Sequence, residues 1–129
     1  MVLSYEYDTS YFGPPMPVID VSVYRIGHSE RTAELKALVD SGADTTMIPA
    51  RMLKQIGARR VDTRTASGVS SVRYAVDIDE VGLAIGHYTL PKIYAVSDRQ
   101  NSQMIVGRDV LNEFLVMLNG LANVVEISQ

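Results

Sequence analysis

The sequence predicts an all-β domain with one or two short helices. Apolar and polar residues alternate along most of residues 18–127, which is the pattern of strands with one buried face. Short runs that contain glycine or asparagine separate these stretches, as expected for turns between strands. The length of 129 residues suits a single domain, and the chain has no internal repeat, linker or low-complexity tract.

The first 17 residues differ from the rest because they are rich in tyrosine and proline and show no clean periodicity. We predict an arm over residues 1–17 that is extended or partly ordered, followed by one folded domain over residues 18–129. The alternative is that the arm forms a strand or strap that crosses to a partner chain.

The first predicted strands lead to an aspartate. Alternation over residues 19–23 predicts a half-buried strand, and 27–30 reads as a hairpin loop. Alternation over residues 33–39 predicts a second strand, which ends at Asp40.

The sequence after this aspartate contains one helix with recognisable ends and further strands. Pro49 suits the start of a helix over residues 50–56, and Gly57 suits its C-cap. Residues 63–72 are small, polar and β-prone, and predict a hairpin with its tip at Ser67-Gly68. The remaining predicted elements are strands over 72–78, 81–85 and 93–96, a turn at 86–87, a polar loop over 97–103, a helix over 107–114 and a two-residue hairpin turn at Asn119-Gly120.

Composition excludes several classes of function. A net charge of −3 argues against nucleic acid as a partner, because phosphate contacts need a basic surface. Zero cysteines exclude a disulfide scaffold, a cysteine nucleophile and thiolate metal sites. No carboxylate–histidine cluster has metal-ligand spacing, so we expect neither a metal nor a cofactor. The absence of a signal peptide and of a bilayer-spanning apolar run predicts no membrane partner and a cytoplasmic location.

The most informative segment is residues 37–46. The apolar run Ala37-Leu38-Val39 delivers Asp40 into a Ser41-Gly42 turn, and a second carboxylate follows at Asp44. An ionisable group at the end of a buried strand is costly and is usually kept for chemistry or for a salt bridge. Asp-Ser-Gly alone would also suit an ordinary β-turn between strands. The apolar residues on both sides favour a turn held inside the protein.

A catalytic triad is a poorer interpretation of the same segment. Ser41 lies in a turn without a strand-to-helix elbow, and His28 and His87 lie in predicted turns of their own. We therefore expect both histidines to be solvated.

Two segments together resemble the retropepsin-like aspartic proteases. The first is Asp40-Ser41-Gly42-Ala43 with its apolar flanks, and the second is the run Met104-Ile-Val-Gly-Arg-Asp-Val-Leu111. They occur in the family's order, with Arg108 placed 108 − 40 = 68 residues after Asp40. The resemblance covers roughly residues 18–127.

The resemblance implies a fold, an assembly and a set of site residues. The implied fold is a small closed acid-protease barrel, and the implied assembly is a C2 homodimer in which each chain supplies one catalytic aspartate, Asp40. Arg108 is implied to form an ion pair with Asp44. The implied supports of the catalytic pair are Ser41 and Gly42, and the implied substrate-binding residues are Gly42, Ala43 and Asp44 with a flap formed by Ala66, Ser67, Gly68 and Val69.

The resemblance implies an aspartic endopeptidase that acts on an extended peptide or protein substrate. Two carboxylates about 3 Å apart cannot both ionise, so that one can serve as base and the other as acid. The alternative is a non-proteolytic module that keeps this fold for dimerisation or peptide binding. A single glycine at the predicted flap tip favours that alternative, whereas the intact Asp-Ser-Gly-Ala favours the enzyme.

Overall fold

The computed structural model describes residues 1–67 and 72–129. Within these residues the chain is mostly strand, which confirms the predicted all-β class. No helix in the described part of the chain is long and apolar enough to cross a membrane. The elements are β1 (Leu3–Glu6), β2 (Val18–Arg25), β3 (His28–Val39), β4 (Met47–Pro49), α1 (Ala50–Ile56), β5 (Arg59–Ser67), β6 (Arg73–Ile85), β7 (Tyr88–Asp98), β8 (Met104–Val106), α2 (Arg108–Leu111), β9 (Leu115–Asn119) and β10 (Val124–Ser128).

The strands form two sheets around one core. The larger sheet has the order β2-β3-β8-β4-β7-β6-β5, and β2 also pairs with β6. The smaller sheet has the order β1-β10-β9 and joins the two ends of the chain. Both sheets contribute to one apolar cluster, which includes Val21 and Val23 of β2 and Val125 and Ile127 of β10.

The strand that carries the candidate catalytic residue is longer than predicted. β3 begins at His28 rather than at residue 33, because the turn after β2 is tight and Gly27 adopts a left-handed φ of 80°. β2 and β3 pair antiparallel along almost their whole length, and this pairing fixes the position of Val39 at the end of β3.

The helix α1 follows the prediction closely. It spans Ala50–Ile56 after Pro49, and Gly57 ends it in the left-handed conformation with φ 69°. The buried Leu53 and Ile56 hold it against the core. Local sequence is sufficient here because both helix ends carry residues with strong positional preferences.

Three predicted elements near the C-terminus are wrong in extent. Ser97 and Asp98 belong to β7 rather than to the following loop. The helix predicted over residues 107–114 is only Arg108–Leu111, because residues 112–114 form a hydrogen-bonded turn that leads into β9. The turn predicted at Asn119-Gly120 is a four-residue loop over residues 120–123, since Asn119 pairs with Val124. The left-handed position falls on Asn123, with φ 55°.

The N-terminal arm is ordered on its own chain. β1 pairs antiparallel with β10, with Leu3 opposite Ile127. Beyond it, Asp8 and Met16 exchange two backbone hydrogen bonds of 2.8 and 2.9 Å, which close residues 8–16 into a loop. We call residues 8–16 the arm loop; they link the smaller sheet to the start of β2.

Candidate active site

Asp40 lies at the carboxyl end of β3 with a neighbouring chain segment on each side. Its backbone amide donates to the carbonyl of Val106 in β8 at 3.0 Å. On the other side, the amide of Val39 donates to the carbonyl of Pro17 at 2.9 Å. Asp40, the candidate catalytic residue, is therefore positioned by the larger sheet itself rather than by a free loop.

The turn after Asp40 orients its carboxylate. The amide of Gly42 donates to Asp40 Oδ1 at 3.0 Å, and the amide of Ala43 donates to the Asp40 carbonyl at 3.2 Å. A Cβ on residue 42 would lie 3.2 Å from Asp40 Oδ1, so glycine leaves the room that this close approach needs. Ser41 and Gly42 are exposed and Asp40 is partly exposed, which gives the carboxylate access to solvent.

Arg108 ties the far side of the same turn to α2. Its guanidinium donates to the carbonyl of Ser41 at 2.6 Å and to Asp44 Oδ1, and its backbone amide donates to the carbonyl of Ala43 at 2.9 Å. The side chains of Arg108 and Asp44 are 42% and 85% exposed. An ion pair this exposed contributes little to stability, so its main effect is to fix the shape of the turn.

We call residues 40–46 the catalytic loop, after the candidate role of Asp40. A second and more deeply placed link joins this loop to α2. The amide of Thr46 donates to both carboxylate oxygens of Asp109 at 3.1 Å, and its hydroxyl donates to Oδ1 at 2.8 Å. The amide of Gly107 in turn donates to the Thr46 hydroxyl at 3.2 Å. Thr46 is fully buried, so these bonds satisfy polar groups that water cannot reach.

Gly107 allows the catalytic loop to lie directly on the start of α2. A Cβ at this position would lie 2.8 Å from the carbonyl carbon of Thr45 and 2.9 Å from the carbonyl oxygens of Ala43 and Thr45. All three atoms belong to the backbone of the loop that begins at Asp40. Only a residue without a side chain permits this approach.

A cavity of about 440 Å³ opens next to the loop. It is bounded by Thr45 of the catalytic loop, Asp109 of α2, Ala66 of β5 and Tyr94 of β7, with apolar residues of β6 and β7 among its other lining residues. Ala66 and Ser67 end β5, and β5 pairs antiparallel with β6 as a hairpin requires. The predicted flap residues Gly68 and Val69 lie outside the described residues.

A group of charges lies at the base of this hairpin. Asp79 of β6 is buried and lies 3.3 Å from Nε of Arg60, and Asp77 lies within ion-pair distance of Arg60 and Arg99. Burial raises the pKa of Asp79 above its usual value, and the nearby Arg60 guanidinium only partly offsets this effect.

The structure brings most of the predicted site residues into one place. Asp40, Ser41, Gly42, Ala43 and Asp44 form one loop, and Arg108 contacts it at three points. Ala66 lines the same cavity as Thr45 of this loop.

Sequence reasoning missed the supporting residues Thr46, Gly107 and Asp109. The sequence could have indicated them only by position: Gly107 and Asp109 flank Arg108, and Thr46 lies two residues after Asp44.

Comparisons with known proteins agree with this geometry. Residues 30–113 match the family described as "gag-polyprotein putative aspartyl protease". DNA damage-inducible protein 1 of Neurospora crassa is 30% identical over 127 residues, and the UBA domain-containing protein Mud1 of Schizosaccharomyces pombe is 31% identical over 98 residues. These alignments cover 95% and 73% of the chain but only 27% and 30% of the relatives, so the chain spans less than a third of their length.

Two solved structures share the fold. EIAV protease in complex with the inhibitor HBY-793 has a TM-score of 0.62 and 19% sequence identity. The match covers 81% of this chain and 93% of the EIAV protease chain. A retropepsin-like aspartic protease from Rickettsia conorii has a TM-score of 0.62 at 12% identity, with coverage of 98% and 91%. The family match over residues 30–113, about two thirds of the sequence, shows that the chain belongs to the retropepsin-like aspartic proteases, and the two solved structures share its fold.

Proposed function

We propose that the chain is an aspartic endopeptidase that works as a homodimer with one Asp40 from each copy. The observation that carries this proposal is the position of the Asp40 carboxylate. It lies on a solvent-accessible turn, it accepts a hydrogen bond from Gly42, and the turn is attached to α2 through Arg108 and Asp109. Such rigid attachment is what a reacting group needs, because catalysis depends on accurate placement.

A second copy is needed because one chain supplies only half of the chemistry. Hydrolysis of a peptide bond without a metal requires a base that takes a proton from water and an acid that protonates the carbonyl oxygen. The other carboxylate of the loop, Asp44, is already ion-paired with Arg108, and we assign it neither role. A two-fold axis between two copies of Asp40 creates the missing pair from one sequence.

In this dimer the two Asp40 side chains share one proton. The ionised Asp40 takes a proton from the attacking water while the other gives its proton to the substrate carbonyl oxygen, which forms a tetrahedral diol. The protonated Asp40 then gives its proton to the amide nitrogen while the ionised Asp40 takes a proton from one diol hydroxyl. The C–N bond breaks, a carboxyl group and an amine are released, and one proton again remains on the pair.

The smaller sheet offers a surface on which two copies can meet. β9 forms one edge of this sheet, and its exposed apolar residues are Leu115, Met117 and Leu118. An exposed apolar edge is prone to pair with another chain. We therefore place the contact between copies at β9, next to α2 and the catalytic loop that α2 supports.

The substrate is proposed to lie as an extended strand between this loop and the flap hairpin. Gly42, Ala43 and Asp44 would contact its backbone from below, and Ala66, Ser67, Gly68 and Val69 would cover it. The cavity beside Thr45 would hold a substrate side chain. Its lining is apolar at Val76, Ile78, Ile93 and Val96 and charged at Arg64, Lys92 and Asp109. Strand pairing supplies affinity in this mode, and side-chain pockets supply preference.

The test is cleavage of an unfolded protein substrate between pH 4 and pH 7 at several protein concentrations. Asp40→Asn should abolish cleavage, whereas the matched control Asp20→Asn should not, because Asp20 is an exposed carboxylate paired with Lys36. Activity should rise faster than linearly with concentration below the dimer dissociation constant.

Two outcomes would overturn the proposal. Cleavage that survives Asp40→Asn would mean different chemistry. A stable dimer without cleavage at any pH in this range would favour the non-proteolytic module for dimerisation or peptide binding.

A further inference from the structure

Two arginine side chains meet at the glycine that ends α1. A Cβ at residue 57 would lie 3.1 Å from Cζ and Nη2 of Arg31 and 3.3 Å from Nη1 of Arg25. The two Nη nitrogens are therefore no more than about 6.4 Å apart, the sum of these two distances. Arg25 is half-buried at the end of β2, and Arg31 is exposed near the start of β3. The β2–β3 hairpin thus brings both guanidinium groups to Gly57.

No carboxylate neutralises this pair of arginines. In the described part of the chain neither Arg25 nor Arg31 forms an ion pair, and residues 68–71 contain no acidic residue that could supply one. The arginines that do form ion pairs there are Arg59, Arg60, Arg64, Arg99 and Arg108. Two guanidinium groups this close repel each other, so an anion between them would relieve the repulsion.

A cavity beside the pair adds a third arginine. Its volume is about 320 Å³, and its lining residues are Arg25, Ile26, His28, Arg59 and Glu80. Glu80 lies 3.8 Å from Arg59 and also 3.8 Å from Lys92, so two cations share this one carboxylate. The cavity and the adjoining Arg31 therefore keep a positive charge even after Glu80 is counted.

A phosphate group suits these donors better than a carboxylate does. Guanidinium N–H groups form a planar fork that binds phosphate oxygens in pairs. A phosphate monoester carries a charge of about −1.5 to −2 at pH 7 and three acceptor oxygens, which two arginines can share. A carboxylate has one charge and two oxygens, which a single fork can occupy. The net charge of −3 on the whole chain disfavours a long polyanion such as nucleic acid, so we expect one phosphate group at a time.

We propose that Arg25 and Arg31, with Arg59 at the edge of the adjoining cavity, form a binding site for a phosphate group. A free phosphate ion and a phosphoserine of a partner segment share this chemistry. Arg31 precedes Asp40 by nine residues along the extended β3, which is roughly 30 Å. The site is therefore separate from the candidate active site, and the inference does not depend on the proposed protease or its dimer.

The first test is a titration with inorganic phosphate at about pH 7.5 and constant ionic strength, followed by ¹H–¹⁵N NMR. The protein carries Asp40→Asn, which prevents self-cleavage. The signals of the Gly57 amide and of the Nε–H groups of Arg25 and Arg31 should shift and saturate. Sodium chloride at the same ionic strength should not reproduce these shifts, because chloride lacks the oxygens that pair with the forks.

Variants of the two arginines test the assignment. Arg31→Gln and Arg25→Gln should each raise the dissociation constant for phosphate by about 10- to 100-fold, the usual effect of losing charge-assisted hydrogen bonds. Arg31→Lys keeps the charge without the planar fork and should weaken binding by less. The control Arg73→Gln removes the same charge from an exposed residue of β6 and should stay within about 3-fold, because distant surface charges are screened. The same spectra show whether each variant is folded.

The second test identifies the source of the phosphate. Three fluorescent peptides of one sequence carry phosphoserine, glutamate or serine at a single position, and anisotropy measures their binding. Phosphoserine binding that is tighter than that of inorganic phosphate, and that Arg31→Gln removes, would assign the site to a phosphorylated segment. Phosphoserine binding no tighter than that of inorganic phosphate would assign it to the free ion.

Three outcomes would overturn the inference. Shifts that do not saturate, or that appear equally at Arg73, would mean general screening of charge rather than a site. A dissociation constant unchanged by Arg31→Gln and Arg25→Gln would place the anion elsewhere. A glutamate peptide that binds as tightly as the phosphoserine peptide would mean that a carboxylate is sufficient. All three are measured without peptide cleavage, so they leave the proposed function untouched, and a chain that cleaves nothing would leave this inference untouched.

Discussion

Replacing Gly107 with alanine should move the catalytic loop. The added Cβ would lie 2.8–2.9 Å from three backbone atoms of Ala43 and Thr45. Non-bonded carbon contacts are comfortable at about 3.5–4.0 Å, so the loop and α2 must separate by roughly 0.5–1 Å. Side-chain rotation cannot relieve the contact because all three atoms belong to the backbone.

The displacement should lower both stability and activity. Overpacking of a tight contact typically lowers the free energy of unfolding by about 1–3 kcal/mol. A shift approaching 1 Å in a loop that positions a reacting group can reduce the rate by about 100-fold. For Gly107→Ala we therefore expect kcat/KM to fall by about 10- to 100-fold, with Asp40 itself unchanged.

Urea unfolding followed by circular dichroism measures the first effect, and peptide cleavage measures the second. Cleavage is assayed well above the dimer dissociation constant so that weaker association does not mimic weaker chemistry. Gly120→Ala is the matched control, because a Cβ there meets nothing within 4 Å and its backbone lies outside the left-handed region. If Gly107→Ala matches Gly120→Ala in both measurements, the close approach of the loop to Gly107 is not what positions it.

Two further predictions concern Asp109 and Asp79. Asp109→Ala leaves the buried amide and hydroxyl of Thr46 without their acceptor and should lower the free energy of unfolding in urea by about 1–3 kcal/mol. Asp109→Asn keeps one acceptor oxygen and should lower the free energy of unfolding by less. If both variants lose the same free energy, the hydrogen bonds to Thr46 are not the cause of the loss. Because the folded-state pKa of Asp79 is raised, its ionisation opposes folding, and the stability present below pH 3.8 is lost as the pH rises through that pKa. Urea titrations should therefore show that the free energy of unfolding of Asp79→Asn increases relative to that of wild type between pH 4 and pH 7. If this difference stays constant or falls with pH, the ion pair with Arg60 outweighs the effect of burial.

Local sequence predicted the parts of the fold that local forces determine. The helix α1 was predicted to within one residue. Gly57 is its C-cap as expected, whereas Pro49, expected at the first helical position, is its N-cap and ends β4. The loop between β9 and β10 was predicted wrongly, because Asn119-Gly120 in isolation favours a two-residue turn. The pairing of β9 with β10 and of β10 with β1 sets a different register. Tertiary pairing outweighs turn preference when several strands share one sheet.

The same distinction divides the candidate site. Asp40 and its turn are continuous in sequence and could be predicted from an apolar run that ends in Asp-Ser-Gly. The bond between Thr46 and Asp109 joins residues 63 positions apart, and no periodicity reports such a contact. The need for glycine at position 107 is also invisible locally, because the backbone atoms that crowd it belong to the catalytic loop.

The exposed apolar residues suggest that assembly and substrate binding use separate surfaces. Among the described residues, the large exposed apolar side chains fall into two groups. One group lies in residues 1–17, on β9 and in the loop over residues 120–123, and the other lies on β5, β6 and β7 and at residue 72 before β6. The first comprises Met1, Val2, Tyr11, Phe12, Leu115, Met117, Leu118 and Leu121, and the second Val61, Val72, Tyr74 and Tyr94.

Under the proposed assembly a second copy covers the first group and a peptide covers part of the second. The catalytic loop then lies next to both surfaces. Val39, the residue before the loop, donates to the carbonyl of Pro17 at the end of the arm, and Thr45 of the loop lines the cavity. Coupling between dimerisation and substrate binding would have to pass through this loop. Because Arg108 and Asp109 attach this loop to α2, a shift of the loop at one surface would move α2 with it.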